Sequence, residues 1–219
     1  MSRAGTATAS VAERIRAAML RGDFAPEQRL VEADLCDRFG ASRAAVRSAL
    51  QELATDGLVE MQRNKGARVR AITLEEAVEI TEARMVLEGL VARKAAERCS
   101  AEEIEELRAI GKAMREACAR SELLAYSDLN ARLHRRVREI SRHATSANVI
   151  ERLGAQVVRH QFRLSLQPGR PSVSLPQHER IIECILARDP DAAEQAMRAH
   201  LSSVVQALKE TAEHEPALR

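Results

Sequence analysis

The chain has 219 residues, 34 Lys or Arg against 32 Asp or Glu, a net charge of +2, and 45% apolar but only 2% aromatic residues. That length holds two modest domains or one larger one, and so few aromatics disfavour a strand-rich architecture, which draws on aromatic and β-branched residues. Cys36, Cys99, Cys118 and Cys184 form no CxxC pair, and no apolar run of about 18 residues or charged-then-apolar leader is present, so a reduced, cytoplasmic protein without a membrane partner is expected.

Residues 1–9 are small and polar and are expected to be disordered. Ser10 then caps a helix over Val11–Arg21, Gly22 ends it, and Phe24–Leu30 reads as extended. Glu32–Phe39 is a short helical pattern with Leu35 and Phe39 on one face, and Gly40 supplies the left-handed conformation that stops it. Ser42 caps the next helix, which carries Val46, Leu50 and Leu53 as an apolar stripe. Gly57 closes it. Leu58–Met61 and Ala67–Arg70 are strand-like runs joined by a turn over Gln62–Gly66. Residues 10–72 therefore predict a winged helix-turn-helix.

Beyond the wing the pattern becomes helical throughout. Thr73 with Glu76 and Ser100 with Glu103 are capping-box pairs opening helices to about Cys99 and Ala119. Ser121 caps a third helix to about Ser141, and a fourth spans Ser146–Leu166. QPGRPSVSLP, residues 167–176, reads as a loop, followed by helices over Pro176–Arg188 and Pro190–Thr211. The fold class is thus mostly α: the winged module plus an all-α antiparallel helical bundle over 73–211, with 212–219 as a flexible tail.

Charge is unevenly placed. Residues 1–72 hold 12 basic and 9 acidic side chains, net +3, and the remaining 147 hold 22 and 23, net −1. Arg43 and Arg47 lie i and i+4 at the start of the second helix of the helix-turn-helix, where arginine can bond guanine through two parallel hydrogen bonds. Ser42 and the free amides there can dock a phosphate. Arg38, Arg63, Lys65 and Gly66 complete the candidate DNA-binding set, with Lys65 on phosphates and Gly66 allowing close approach at the wing. A solvated basic helix would explain the two arginines alone; cap, turn and hairpin together favour a reader of double-stranded operator DNA.

In the bundle, Asn130 and His134 share a helix face at i and i+4, His178 opens the fifth helix, and His200 lies in the sixth. Residues from neighbouring helices can converge in a bundle core, as metal sites do, and imidazoles suit zinc, nickel, cobalt, copper or iron rather than magnesium or calcium. His143, His160 and His214 are read as ordinary residues. Arg84 and Glu88, also i and i+4, form either a plain salt bridge or a pair whose arginine reaches an effector carboxylate. Arg159 and Arg163 compete for that role.

Two stretches resemble known families. Gly22-Asp-Phe-Ala-Pro-Glu-Gln-Arg-Leu30, Ser42-Arg-Ala-Ala-Val-Arg-Ser-Ala-Leu50, Gly57-Leu-Val59 and Gly66-Ala-Arg-Val69 resemble the DNA-binding domain of GntR-type bacterial transcription regulators. The chain departs from that pattern at Glu27, where Gly is usual, and at Ala44-Ala45, where Thr-Pro is usual. Arg84-Met-Val-Leu-Glu88, Asn130 with Leu133-His134, Pro176-Gln-His178 and Met197-Arg-Ala-His-Leu201 resemble the FCD ligand-binding domain of FadR-like GntR regulators. The resemblance implies that Asn130, His134, His178 and His200 hold a divalent metal, zinc first and nickel or another transition metal next, which binds the carboxylate of a small effector. Asn130 stands where many relatives have Asp, removing one negative charge from that set.

The expected function is an effector-responsive transcription regulator, a homodimer through its helical domain, whose operator affinity changes when a small organic acid binds. The rival expectations are a metal-dependent hydrolase, since three histidines with an open position can activate water, and a sensor for which the ion itself is the signal.

Overall fold

The computed structural model describes residues 9–63 and 66–214, with side chains described through 211. Of the predicted disordered N-terminus only residue 9 is described; of the predicted flexible tail, residues 212–214 end the last helix and the rest lies outside the described residues. The chain divides into two units, 1–72 and 73–219.

In the first unit, α1 (Val11–Leu20) carries a full capping box, with Ser10 Oγ accepting from Glu13 N and the Glu13 carboxylate accepting from Ser10 N. β1 (Arg29–Leu30) is followed by α2 (Glu32–Phe39), which ends at left-handed Gly40, and by α3 (Arg43–Thr55), whose first turn is capped by Ser42. Ile15, Ala18, Leu35, Phe39, Val46, Leu50 and Leu53 are the buried stripes of these three helices. β2 (Val59–Gln62) and β3 (Gly66–Val69) form the predicted hairpin, and the extended segment before α2 adds a third strand, giving antiparallel order β1-β3-β2. Gly66 sits at φ +81, and a Cβ there would stand 2.4 Å from the backbone oxygen of Leu30. Glu27 adopts φ 63, the left-handed region that favours glycine. The departure from the family motif at this position changes the side chain and keeps the backbone, while the carboxylate gains Arg68 at 2.7 Å.

Among the described residues the second unit is six helices: α4 (Leu74–Arg98), α5 (Ala101–Ala119), α6 (Leu123–Ser141), α7 (Ala144–Ser165), α8 (Arg170–Leu186) and α9 (Pro190–His214). Glu82–Lys209, Gly89–Arg198 and Arg93–Asp191 pair in opposite chain directions, so α4 and α9 run antiparallel. Gly89 matters to that contact. Arg198 lies where a Cβ would be, 2.9 Å away. Ala92, Ala95 and Ala96 are fully buried on α4, and small residues let neighbouring helices approach closely enough to exclude water.

Three boundary expectations are corrected. Ser121 does not cap α6; it lies at φ 57, and the helix starts after Glu122 without a side-chain cap. Helix α7 starts at Ala144 and not at Ser146, because His143 Nδ1 accepts from Ser146 N and serves as the cap. Most of the predicted 167–176 loop is helix. Pro171 falls in the first turn, where no intrahelical N–H is required, and α8 continues through Pro176 at the loss of one backbone hydrogen bond. This places Arg170 and Ser174 in helical register with His178.

Candidate functional site

The first unit carries a concave face of about 650 Å³ between the start of α3 and the wing, lined among others by Arg29, Glu32, Arg43, Arg47, Arg63 and Gly66. Ser42 and both recognition-helix arginines are exposed. Arg47 is held by Glu32, whose carboxylate accepts from its Nε at 3.3 Å and its Nη2 at 3.1 Å. That hydrogen bond lowers the Glu32 carboxyl below its ordinary value. Arg38 is set apart from the groove: its guanidinium stacks over Phe24 and pairs with Asp23 at 2.9 Å. Lys65 lies outside the described residues.

The second site is in the bundle. His134 on α6, His178 on α8 and His200 on α9 are all buried, and one ring nitrogen of each lies within 4.8 Å of the others. Each Nδ1 is engaged from outside the cluster. His134 Nδ1 lies 2.7 Å from Glu88 Oε2, His178 Nδ1 lies 3.0 Å from Tyr126 Oη, and His200 Nδ1 lies 2.9 Å from Gln177 Oε1. A carboxylate and an amide oxygen only accept, so His134 and His200 carry their proton on Nδ1 and keep the Nε2 lone pair, while the Tyr126 phenol can either accept from His178 Nδ1 or donate to it. His178 Nε2 and His200 Nε2 face each other at 3.3 Å. With Tyr126 donating to His178 Nδ1, His178 Nε2–H donates to His200 Nε2; with Tyr126 accepting, two lone pairs face each other and a cation between them would relieve their repulsion.

Burial, then the neighbouring cationic groups, hold His178 and His200 well below the ordinary imidazole value of 6.5. Folded rings therefore stay neutral at pH values where unfolded histidine takes up a proton. Below about 6.5 the unfolded chain binds more protons, so the stability of chelator-treated protein falls as pH drops, by up to about 1.4 kcal/mol per unit for each ring. Denaturant unfolding across pH 5 to 7.5 checks this sign.

Asn130 lies one turn before His134, and its Oδ1 is buried without a hydrogen-bond partner. An orphaned carbonyl oxygen one turn from His134, together with three clustered imidazoles, is a donor set that fits a borderline transition metal. Glu88 is where two networks meet. Its Oε1 accepts from Arg84 Nε and Nη2, and its Oε2 from His134. Burial alone would raise its carboxyl, but Arg84 and then His134 hold it well below the usual carboxylate range. Arg84 is thus buried and paired, although its Nη1 has no partner. On α7, Arg159 is half-buried and Arg163 exposed, and both have partners in the structure.

Glu88, Tyr126 and Gln177 are partners of the histidines that no sequence motif marks as such. Tyr126, Asn130 and His134 stand at i, i+4 and i+8, a spacing visible in the sequence. Nothing there showed that Glu88 faces α6.

The two sites and their scaffolds define a winged-helix DNA-binding protein with a helical sensory domain. Residues 7–69 match the bacterial regulatory proteins of the gntR family and residues 79–203 match the FCD domain. The chain belongs to the GntR family of transcription regulators, in the branch with an FCD domain. It is 28% identical over 187 residues to the HTH-type transcriptional repressor RspR of Escherichia coli K12, covering 85% of this chain and 82% of that one. It is 30% identical over 205 residues to the HTH-type transcriptional regulator LutR of Bacillus subtilis 168, covering 84% and 92%. Among solved structures, E. coli McbR/YncC shares the fold at 17% identity, TM-score 0.77, over 92% of this chain and 96% of that one. These relatives are regulators, not enzymes, so the hydrolase expectation is not favoured. No helix among the described residues is long and apolar enough to cross a membrane.

Proposed function

We propose that this regulator holds a divalent transition metal through Asn130, His134, His178 and His200, and that a small organic acid bound there changes its affinity for operator DNA. The observation that carries this reading is the set of three buried imidazoles whose Nδ1 atoms are all engaged outward. When bound, the metal supplies a Lewis-acidic position for a carboxylate oxygen. The protein acts in the cytoplasm as a homodimer that places two winged modules on a two-fold operator.

The test is a fluorescence-anisotropy titration of DNA from the gene's own upstream region with metal-loaded and chelated protein, screening carboxylates for release. Specific binding relieved by one acid in the metal-loaded sample alone is the expected result. Release by metal without any acid would establish the ion-sensor alternative instead. On the same duplex, Arg43→Ala is expected to cost about 1–3 kcal/mol and to relax sequence preference at one position. Arg47→Ala should cost less than its charge suggests, because Glu32 already engages it. Equal losses for both variants would contradict that ranking.

A further inference from the structure

We propose that Arg170 is the anchor for a second anionic group of the effector, so that the ligand is a bifunctional acid held between this guanidinium and the histidine centre. The inference rests on the reading of that centre as a metal site and names the residue that completes it. Arg170, Ser174 and His178 stand at i, i+4 and i+8 on α8, a spacing that keeps them on one stripe of the helix. The Arg170 side chain crosses to α9, where Nη1 donates to Ser203 Oγ at 3.3 Å. Ser203 is three residues beyond His200. The guanidinium therefore lies about one helical turn, roughly 5 Å, along α9 from the ring that meets His178.

Its charge is answered only through space, by the Glu210 carboxylate, and no carboxylate pairs with it among the described residues. Arg170 is half-buried, and burial pulls its pKa below the ordinary value. Its one side-chain hydrogen-bond partner among the described residues is a neutral hydroxyl. The other cations near the centre are differently placed. Arg84 is saturated on Nε and Nη2 by Glu88. Arg138, one turn beyond His134, feels the opposing charges of Glu88 and Glu151. Arg170 is the cation whose field acts on both His178 and His200 and on the Tyr126 phenol. A partly desolvated guanidinium with four uncommitted N–H groups is a carboxylate receptor, because it offers the parallel fork that a carboxylate accepts. A ligand with one carboxylate at the histidines and another at Arg170 satisfies both charges. A ligand with one carboxylate satisfies only the first.

The test compares succinate with butyrate, equal in carbon number and different by one carboxylate, on full-length protein loaded with Co²⁺. The visible Co²⁺ bands report on the centre itself, and their shift on titration reports each acid. Wild type is expected to bind succinate about tenfold or more tightly than butyrate. Arg170→Met should bring that ratio to near one while leaving the bands of the acid-free protein and the helical circular dichroism unchanged. Arg170→Lys keeps the charge without the fork and should fall between the two. A wild type with no preference for succinate, or an Arg170→Met protein that keeps it, overturns the proposal. Absence of the Co²⁺ bands in wild type without acid would instead sink the metal reading, and this inference with it.

Discussion

Glu88→Ala is expected to destabilise the helical unit by about 3–5 kcal/mol, because it strips a buried guanidinium of its counter-charge. Arg84 is 6% exposed and Glu88 1%, so water cannot replace the lost carboxylate. The same substitution frees His134 Nδ1, and loss of such an orienting partner typically lowers metal affinity about 10–100-fold. The two effects separate in a second variant. Arg84→Met with Glu88→Leu fills the space with apolar atoms and leaves no buried charge, so most of the stability returns. Metal affinity stays low, since the imidazole still lacks its acceptor. Chemical denaturation gives the first quantity and competition with a chromophoric chelator the second. If the double variant bound metal as tightly as wild type, Glu88 would be a structural ion-pair partner and nothing more.

The sign of its acid dependence follows from the same contacts. The folded Glu88 carboxyl titrates well below its unfolded counterpart. Its stabilisation is fully present above the unfolded value and is lost only as pH falls toward the folded one. At neutral pH the pair is intact.

Gly66→Ala should destabilise the winged module by about 2–5 kcal/mol. The left-handed backbone costs a side chain roughly 1–2 kcal/mol, and forcing a packed backbone apart costs about 1–3 more. The clash is with the Leu30 carbonyl oxygen of β1, which cannot rotate away as a side chain can. Since a whole domain retains only about 5–15 kcal/mol, the wing loses its seat on β1 and DNA affinity falls with it. Unfolding of the full chain and anisotropy on the upstream fragment measure both. A variant that kept its unfolding midpoint but lost DNA would restrict Gly66 to allowing close approach to the duplex.

The helices of the winged module were legible because each has a local signal: Ser10 and Ser42 as caps, Gly40 as a left-handed stop, apolar stripes at helical period. β1 was not, because a two-residue strand has no periodicity and exists only through its pairing with β3. In the bundle, the histidine positions came from motif spacing, while Glu88, Tyr126 and Gln177 belong to the site through contacts between helices. Arg170 was hidden by a local rule applied too strongly. Three prolines and a glycine over residues 167–176 read as a loop, but a proline in the first turn lacks a hydrogen bond the helix does not need there, and packing of Ile181, Ile182 and Ile185 into the core fixes the rest of α8.

The antiparallel seam between α4 and α9 also sets an order of events during synthesis. The first and last helices of the bundle pair with each other, so the ribosome must finish α9 before α4 can complete its side of the seam. The winged module closes its own sheet at residue 69, far earlier in translation. Domains that emerge first generally fold first, and the DNA-reading part thus matures while the sensing part is still incomplete. A nonsense codon anywhere between residues 73 and 190 would release a polypeptide that retains Arg43 and Arg47 but lacks His200, Ser203 and the seam. Such a fragment would be deaf to any effector, and whatever bundle helices it carried would be unpaired and a target for proteolysis.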